Sequence, residues 1–134
     1  MKRRGPALFC LVAGGGDVAT GLLLVAAPEL VLRLLGIARP EGSLALFRFV
    51  GVFVGCVGLS YLHPWLRGRF YRSQRLAAAL EMTAGFRLAV ALFLGVAVAA
   101  NEMDLPWMAV GIYDAVVATV QLGLLSRGFF GDAA

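Results

Sequence analysis

Residues that carry redox or metal chemistry are scarce in this sequence. It has two cysteines, Cys10 and Cys56, and one histidine, His63. The cysteines do not form a Cys-x-x-Cys motif, which argues against a thiol oxidoreductase, and His63 alone supplies at most one ligand to a haem or metal site. No cluster of ligand-type residues has the spacing of a metal site. The sequence therefore identifies no catalytic residue, no metal site and no cofactor.

Charged residues are also few, at 15% of the chain. Apolar residues make up 60%, compared with roughly 45–50% in soluble domains, and the mean hydropathy is +0.85. The net charge of +4 does not indicate a nucleic-acid partner, because the basic residues lie at the ends of apolar stretches. These features predict an integral membrane protein whose residues 1–134 form a single transmembrane domain.

Four apolar stretches are long enough to cross a bilayer, and they cover about residues 6–27, 43–62, 74–100 and 105–125. A membrane helix needs about 20 residues, and no stretch alternates apolar and polar residues as a membrane strand does. We therefore predict an all-α polytopic four-helix bundle whose second span stops at His63 and Pro64. Residues 28–37 are too few to span, and they form either a simple connector or, as we favour, an interfacial helix. Pro28 follows the small residues 25–27 directly, which disfavours cleavage of the first span as a signal peptide.

The distribution of basic residues predicts the orientation of the spans. Eight lie on the side that holds both termini and the loop between spans two and three, whereas Arg33 and Arg39 lie on the other side. By the positive-inside rule both termini face the cytoplasm, and we expect the chain in the cell inner (plasma) membrane. Tyr61, Trp65 and Trp107 fit interfacial aromatic belts. The loop arginines either anchor anionic lipid head groups or dock an acidic partner, and they are Arg67, Arg69, Arg72 and Arg75.

Every span contains an ionisable residue, although a charge in hydrocarbon is costly and normally faces a partner inside the protein. Counted from the span ends, Asp17, Arg87 and Asp114 lie near the bilayer middle, and Arg48 lies in the outer third. We predict that Arg87 pairs with one of the two aspartates and Arg48 with the other. Two further polar candidates lie nearer the cytoplasmic end, and they are Glu81 and Gln121.

Small residues recur on the same helix faces as these charges. Gly14 and Gly21 share a face with Asp17, and the second span carries a small-xxx-small row on the face of Arg48, formed by Gly51, Gly55 and Gly58. Such rows let helix backbones approach closely. We therefore expect tight helix contacts there and not a wide cavity.

A recognisable order of features runs through segments 28–30, 34–36 and 48–59 and through Arg87, Tyr113 and Asp114. This order resembles that of small four-span proteins of the DoxX-like kind. The resemblance covers nearly the whole chain and is carried by hydropathy and glycine placement. It implies a compact four-helix bundle and, for some members, partnership with quinone-linked oxidoreductases.

Three functional interpretations follow. The balance of two acids and two bases favours a non-catalytic structural or accessory subunit with a charge-paired interior. The alternatives are a protein that binds a lipid-soluble ligand such as a quinone, in a redox-accessory role, and a small transporter protomer. The expected partners are the lipid bilayer and either a second copy of the chain or another membrane protein, with no nucleic acid. A closed interior favours the first interpretation, and a lipid-accessible cavity favours the second.

Overall fold

The computed structural model describes residues 4–39, 41–66 and 74–128. Within these ranges every regular element is helical, which confirms the predicted all-α class. The elements are α1 (Arg4–Ala26), α2 (Pro28–Leu34), α3 (Ala45–Leu66), α4 (Gln74–Ala99) and α5 (Met108–Ser126), with a 3-10 turn (Leu105–Trp107) that leads into α5.

Four helical segments are long and apolar enough to cross a membrane: Gly5–Ala26, Ala45–Leu66, Arg75–Ala99 and Leu105–Ser126. Their outward faces expose large apolar side chains, among them Leu8, Phe49, Leu92 and Val116. An apolar surface of this extent is unfavourable in water and marks contact with lipid or with another protein. The fold is therefore helical, with four helices that are long and apolar enough to span a membrane.

The connection from α1 to α3 contains a short helix. The helical path breaks at Ala27, with φ −141° and ψ 63°, and Pro28 begins α2, where its missing N–H costs little. Gly36 ends the turn with φ +70°, and the Ile37 N–H donates to the Leu32 carbonyl at 2.9 Å. A left-handed residue at this place is a common helix terminator. The helix thus occupies residues 28–34 of the 28–37 segment.

Helix α3 extends beyond the stop that the sequence predicts. It runs through Pro64 to Leu66, whereas the prediction ends the span near residue 62. Proline lacks an N–H, so one backbone bond, to the Ser60 carbonyl, is lost. A single lost bond in the last turn does not end a helix that packs against neighbours, and membrane helices commonly tolerate proline.

Helices α1 and α3 form one closely packed pair. A Cβ placed on Gly21 would lie 2.6 Å from the Gly51 carbonyl oxygen, and one placed on Gly58 would lie 2.6 Å from the Gly14 carbonyl oxygen. Real side chains do not tolerate such distances, so the two backbones touch directly at both levels. We call these four residues the glycine seam. The Gly55 nitrogen also lies 2.6 Å from the Cβ built on Gly21, but a Cβ on Gly55 itself would meet only the Gly21 Cα, at 3.9 Å.

Helices α4 and α5 form the second pair, and Gly111 lies at their contact, where a Cβ would be 3.4 Å from the Leu94 Cβ. The two pairs meet at both ends of the bundle. At the terminus end, where α1 begins and α5 ends, Cys10, Tyr61 and Leu80 belong to one buried apolar cluster. At the α2 end, where α1 ends and α3 begins, Phe47 stacks on Trp107 with ring centroids 6.3 Å apart. Between these ends lies a polar cluster.

Candidate functional site

Arg87 of α4 lies between two carboxylates that come from different helix pairs. Its Nη2 donates to Asp17 Oδ2 on α1, and its Nη1 donates to Asp114 Oδ1 on α5. Asp17 is 4% exposed and Arg87 is 7% exposed, and the Asp114 side chain is 13% exposed. Charged hydrogen bonds of this forked kind are the strong ones, because a planar guanidinium presents several fixed donors.

The glycine seam sets the position of Asp17. A Cβ built on Gly58 would lie 2.8 Å from the Asp17 Cβ, so α3 passes directly behind this acid. With α3 closing that side, the carboxylate meets α4, where Arg87 is the cation. Because Gly58 has no side chain, α1 and α3 come together there. The same contact places Asp17 against the second helix pair.

A hydrogen-bonded chain extends from Arg87 toward the terminus end. Arg87 Nε donates to the Tyr61 hydroxyl at 3.4 Å, and the hydroxyl donates to Thr83 Oγ1 at 3.0 Å. Thr83 in turn donates to the Ala79 carbonyl at 2.7 Å. Tyr61 is fully buried, so its hydroxyl connects α3 to α4 inside the protein, where polar groups need partners.

Gln121 of α5 completes this chain. Its Nε2 lies 3.1 Å from the Tyr61 hydroxyl, 3.1 Å from the Leu80 carbonyl and 2.9 Å from Thr83 Oγ1. The Leu80 carbonyl only accepts, so the amide nitrogen and not the oxygen must face it. The Gln121 Oε1 is buried and has no hydrogen-bond partner among the described residues. All four long helices thus contribute to one polar cluster.

Tyr113 adds an aromatic contact beside Asp114. The Arg87 Cζ lies 5.8 Å from the centroid of the Tyr113 ring, within the range of a cation–π attraction. Tyr113 is about half exposed, so its ring covers the guanidinium from the outside of the bundle. Helix α5 therefore supplies both a carboxylate and a ring to the same cation.

The formal charges of the cluster do not balance. Arg87 carries one positive charge at any accessible pH, and Asp17 and Asp114 are the two acids bonded to it. With both carboxylates ionised the cluster carries one net negative charge, whereas two acids and two bases were expected. The Tyr61 hydroxyl, which accepts a hydrogen bond from Arg87 Nε, lowers the cost of burying the guanidinium.

Arg48 does not belong to this cluster, which corrects the predicted pairing. It is exposed and forms no ion pair with the described residues. Gly58 lies level with Asp17, and Arg48 precedes it by ten residues on α3, which is about 15 Å along the helix. Arg48 therefore lies level with the end of α1. Arg87 instead bonds to both aspartates, so neither of them pairs with Arg48.

The other predicted site residues lie in different parts of the protein. Gln121 is part of the cluster, whereas Glu81 is exposed and lies outside it. Arg75 is exposed near the start of α4. Arg67, Arg69 and Arg72 lie outside the described residues, as do residues 1–3.

Sequence reasoning missed Tyr61 and Thr83. Tyr61 was assigned to an interfacial aromatic belt, but it is fully buried, because it follows Gly58 by three residues and so continues the face of the glycine seam. Thr83 precedes Arg87 by four residues and shares its face. The spacing of Tyr61 from Gly58 and of Thr83 from Arg87 could therefore have identified both residues.

Among the described residues no group of three or more histidine, cysteine, aspartate or glutamate side chains is placed to hold a metal ion.

Fold and site together define a small helical protein with four helices able to span a membrane and, within the described ranges, one buried arginine–aspartate cluster at the junction of two helix pairs. Comparisons of this chain with protein-family models, with curated proteins and with solved structures find no match.

Proposed function

We propose that this chain is a non-catalytic structural or accessory membrane protein in which the Arg87 cluster holds the two helix pairs together. The observation that carries this proposal is the position of Arg87: its two acids, Asp17 and Asp114, belong to different helix pairs. The ionic groups are bonded to one another, which is the arrangement that fixes helix register and partner choice.

The enclosure of the cluster supports a structural role over ligand chemistry. Asp17 and Arg87 are each less than a tenth exposed, so a substrate has little access to either. Two surface grooves formed by the described residues lie at the α2 end, and neither is lined by Asp17, Arg87 or Asp114. A quinone site or a transport path would require an opening beside these residues.

The proposal includes a location and an orientation. We place the chain in the cell inner membrane with both termini in the cytoplasm, since eight basic residues lie on the terminus side and two on the other. The exposed apolar faces of the spans supply lipid contact and a surface on which a second copy or another membrane protein packs. The resemblance to DoxX-like proteins is compatible with such an accessory role.

Purification in native lipid tests the proposed function. The full chain is extracted with its surrounding lipid, and the co-purifying proteins and small molecules are identified by mass spectrometry. We expect lipids and either a second copy or a reproducible membrane protein partner, with no stoichiometric quinone or other small molecule. A quinone bound at one per chain, and lost on conservative change of Asp114 to Asn, would replace the structural proposal with the ligand-binding one.

A further inference from the structure

An open groove of about 380 Å³ lies at the α2 end. The end of α1, helix α2 and the start of α3 form its walls, and its lining includes Glu29, Leu30, Arg33, Leu44 and Arg48. It is separate from the Arg87 cluster. The groove therefore contains the arginine that the cluster leaves without an acid.

The charge in this groove is positive. Glu29 is its one acidic lining residue, and the Glu29 Oε1 already pairs with Arg39 Nη1 at 3.2 Å. Arg33 and Arg48 are exposed and form no ion pair with the described residues. Two guanidinium groups thus face the same groove with their donors available, and guanidinium groups bind phosphate in a forked geometry.

The groove is also amphiphilic and lies at the end of the spans. Arg48 is in the first turn of α3, which begins at Ala45, and Ala26 is the last residue of α1. Lipid head groups meet a spanning helix at this level. Leu30 lines the groove and is 44% exposed, and Leu34, one turn further along α2, is 74% exposed. Cationic and apolar surface therefore adjoin, as an anionic amphiphile requires.

We infer that this groove binds the phosphate head group of an anionic phospholipid, with Arg33 and Arg48 on the phosphate and the leucines along the acyl chains. The inference depends on the membrane location in the proposed function and not on the role of the Arg87 cluster. A lipid fits better than a free anion, because a soluble phosphate would leave the exposed leucines beside it in water.

Photocrosslinking tests this site with the full chain in nanodiscs. The probe is a phosphatidylglycerol with a photoreactive group near its head, and the adducts are mapped by peptide mass spectrometry. We expect adducts within residues 26–48, and we expect each of Arg33→Gln and Arg48→Gln to reduce them about fivefold. The double variant should reduce them by about 25-fold. Both side chains are exposed, so the variants should keep the helix content of the parent by circular dichroism.

Three controls decide the outcome. Arg75→Gln, an exposed arginine on α4 at the other end of the bundle, should leave the 26–48 adducts unchanged. A phosphatidylcholine probe should give weak adducts that the arginine variants do not alter. Excess inorganic phosphate or glycerol phosphate should not compete. The lipid site would be overturned if Arg75→Gln reduced the 26–48 adducts as much as the groove variants do, or if the double variant did not reduce them. Full competition by the soluble phosphates would also overturn it, in favour of a site for free anions.

Discussion

Gly58 lies directly behind Asp17, since a Cβ on the glycine would be 2.8 Å from the Asp17 Cβ. The relationship couples two features that are separate in the sequence, the glycine seam and the buried charge. The seam brings α1 and α3 together, and it thereby presents the Asp17 carboxylate to Arg87 on α4. Packing within one helix pair and ion pairing between the two pairs therefore depend on the same residue.

Gly58→Ala should destabilise the protein. The added methyl group would also lie 2.6 Å from the Gly14 carbonyl oxygen and 2.7 Å from the Val18 nitrogen, and backbone atoms cannot rotate away. We expect a loss of about 1–3 kcal/mol in the free energy of unfolding, as for an overpacked core. Unfolding in mixed micelles with increasing dodecyl sulfate, followed by tryptophan fluorescence, measures this loss.

Gly16→Ala is the matched control for this change. Gly16 lies on the same helix pair, in α1, and a Cβ there meets nothing within 4 Å. Alanine is favoured over glycine in a helix by about 1 kcal/mol, so this variant should be as stable as the parent or slightly more so. Equal destabilisation by the two changes would mean that the seam is not a close contact.

Arg87→Gln should cost more stability than the loss of either acid. Without the guanidinium, Asp17 and Asp114 are two buried acids with no cation, and breaking such a cluster costs about 3–5 kcal/mol. Asp114→Asn leaves Asp17 paired with Arg87. We therefore expect a loss of about 1–3 kcal/mol in the free energy of unfolding, the contribution of one charged hydrogen bond. The same micelle unfolding experiment ranks the variants.

The neutral triple variant distinguishes charge from packing. When Arg87→Gln is combined with Asp17→Asn and Asp114→Asn, no charge remains in the cluster, and the amides keep hydrogen-bonding groups in similar positions. We expect the triple variant to be more stable than Arg87→Gln alone, because residues of one network are not additive. If the three losses simply added, the cluster would not act as an ionic unit.

The sequence predicted the helices and the charged residues of the cluster, but not Tyr61 and Thr83, for identifiable physical reasons. Span length and hydropathy depend on local composition, and the shared faces of Asp17, Arg87 and Asp114 follow from helical periodicity. The pairing of Arg48 was wrong because its depth in the outer third, counted from the span ends, was taken as close enough to the bilayer middle for it to reach an aspartate. Span ends do not give the relative depth of α1 and α3 accurately. That depth is set by the glycine seam, which places Gly58 and not Arg48 beside Asp17. Tyr61 was misplaced for a related reason: closeness to a span end indicates an interface, but burial depends on which neighbour covers the residue.

The orientation of the chain can be tested through its basic residues. Replacing Arg67, Arg69, Arg72 and Arg75 with glutamine removes half of the eight basic residues on the terminus side. Because such residues hold their side of the chain in the cytoplasm, the variant should show a mixed orientation. Fusions of a cytoplasm-active fluorescent protein to the C-terminus should be fluorescent for the parent and weaker for the variant.

The control for orientation changes the basic residues on the other side of the membrane from the termini. Arg33→Gln with Arg39→Gln removes both basic residues there and should leave the fusion as fluorescent as the parent, because it strengthens the existing asymmetry. A dark fusion of the parent chain would reverse the proposed orientation.

Tyr61→Phe should show that the hydroxyl, and not the ring, connects the helix pairs. The hydroxyl accepts from Arg87 and Gln121 and donates to Thr83, and its removal leaves buried donors with fewer acceptors. We expect a loss of about 1–3 kcal/mol in the free energy of unfolding, the cost of an unsatisfied buried polar group.

Tyr113→Phe is the matched control, since it retains the ring beside Arg87. Tyr113 is about half exposed, so this change should lower the free energy of unfolding by less than about 0.5 kcal/mol. If Tyr61→Phe and Tyr113→Phe were equally mild, the chain from Arg87 to Gln121 would contribute nothing to assembly, and only the ion pairs of Arg87 would join the two halves of the protein.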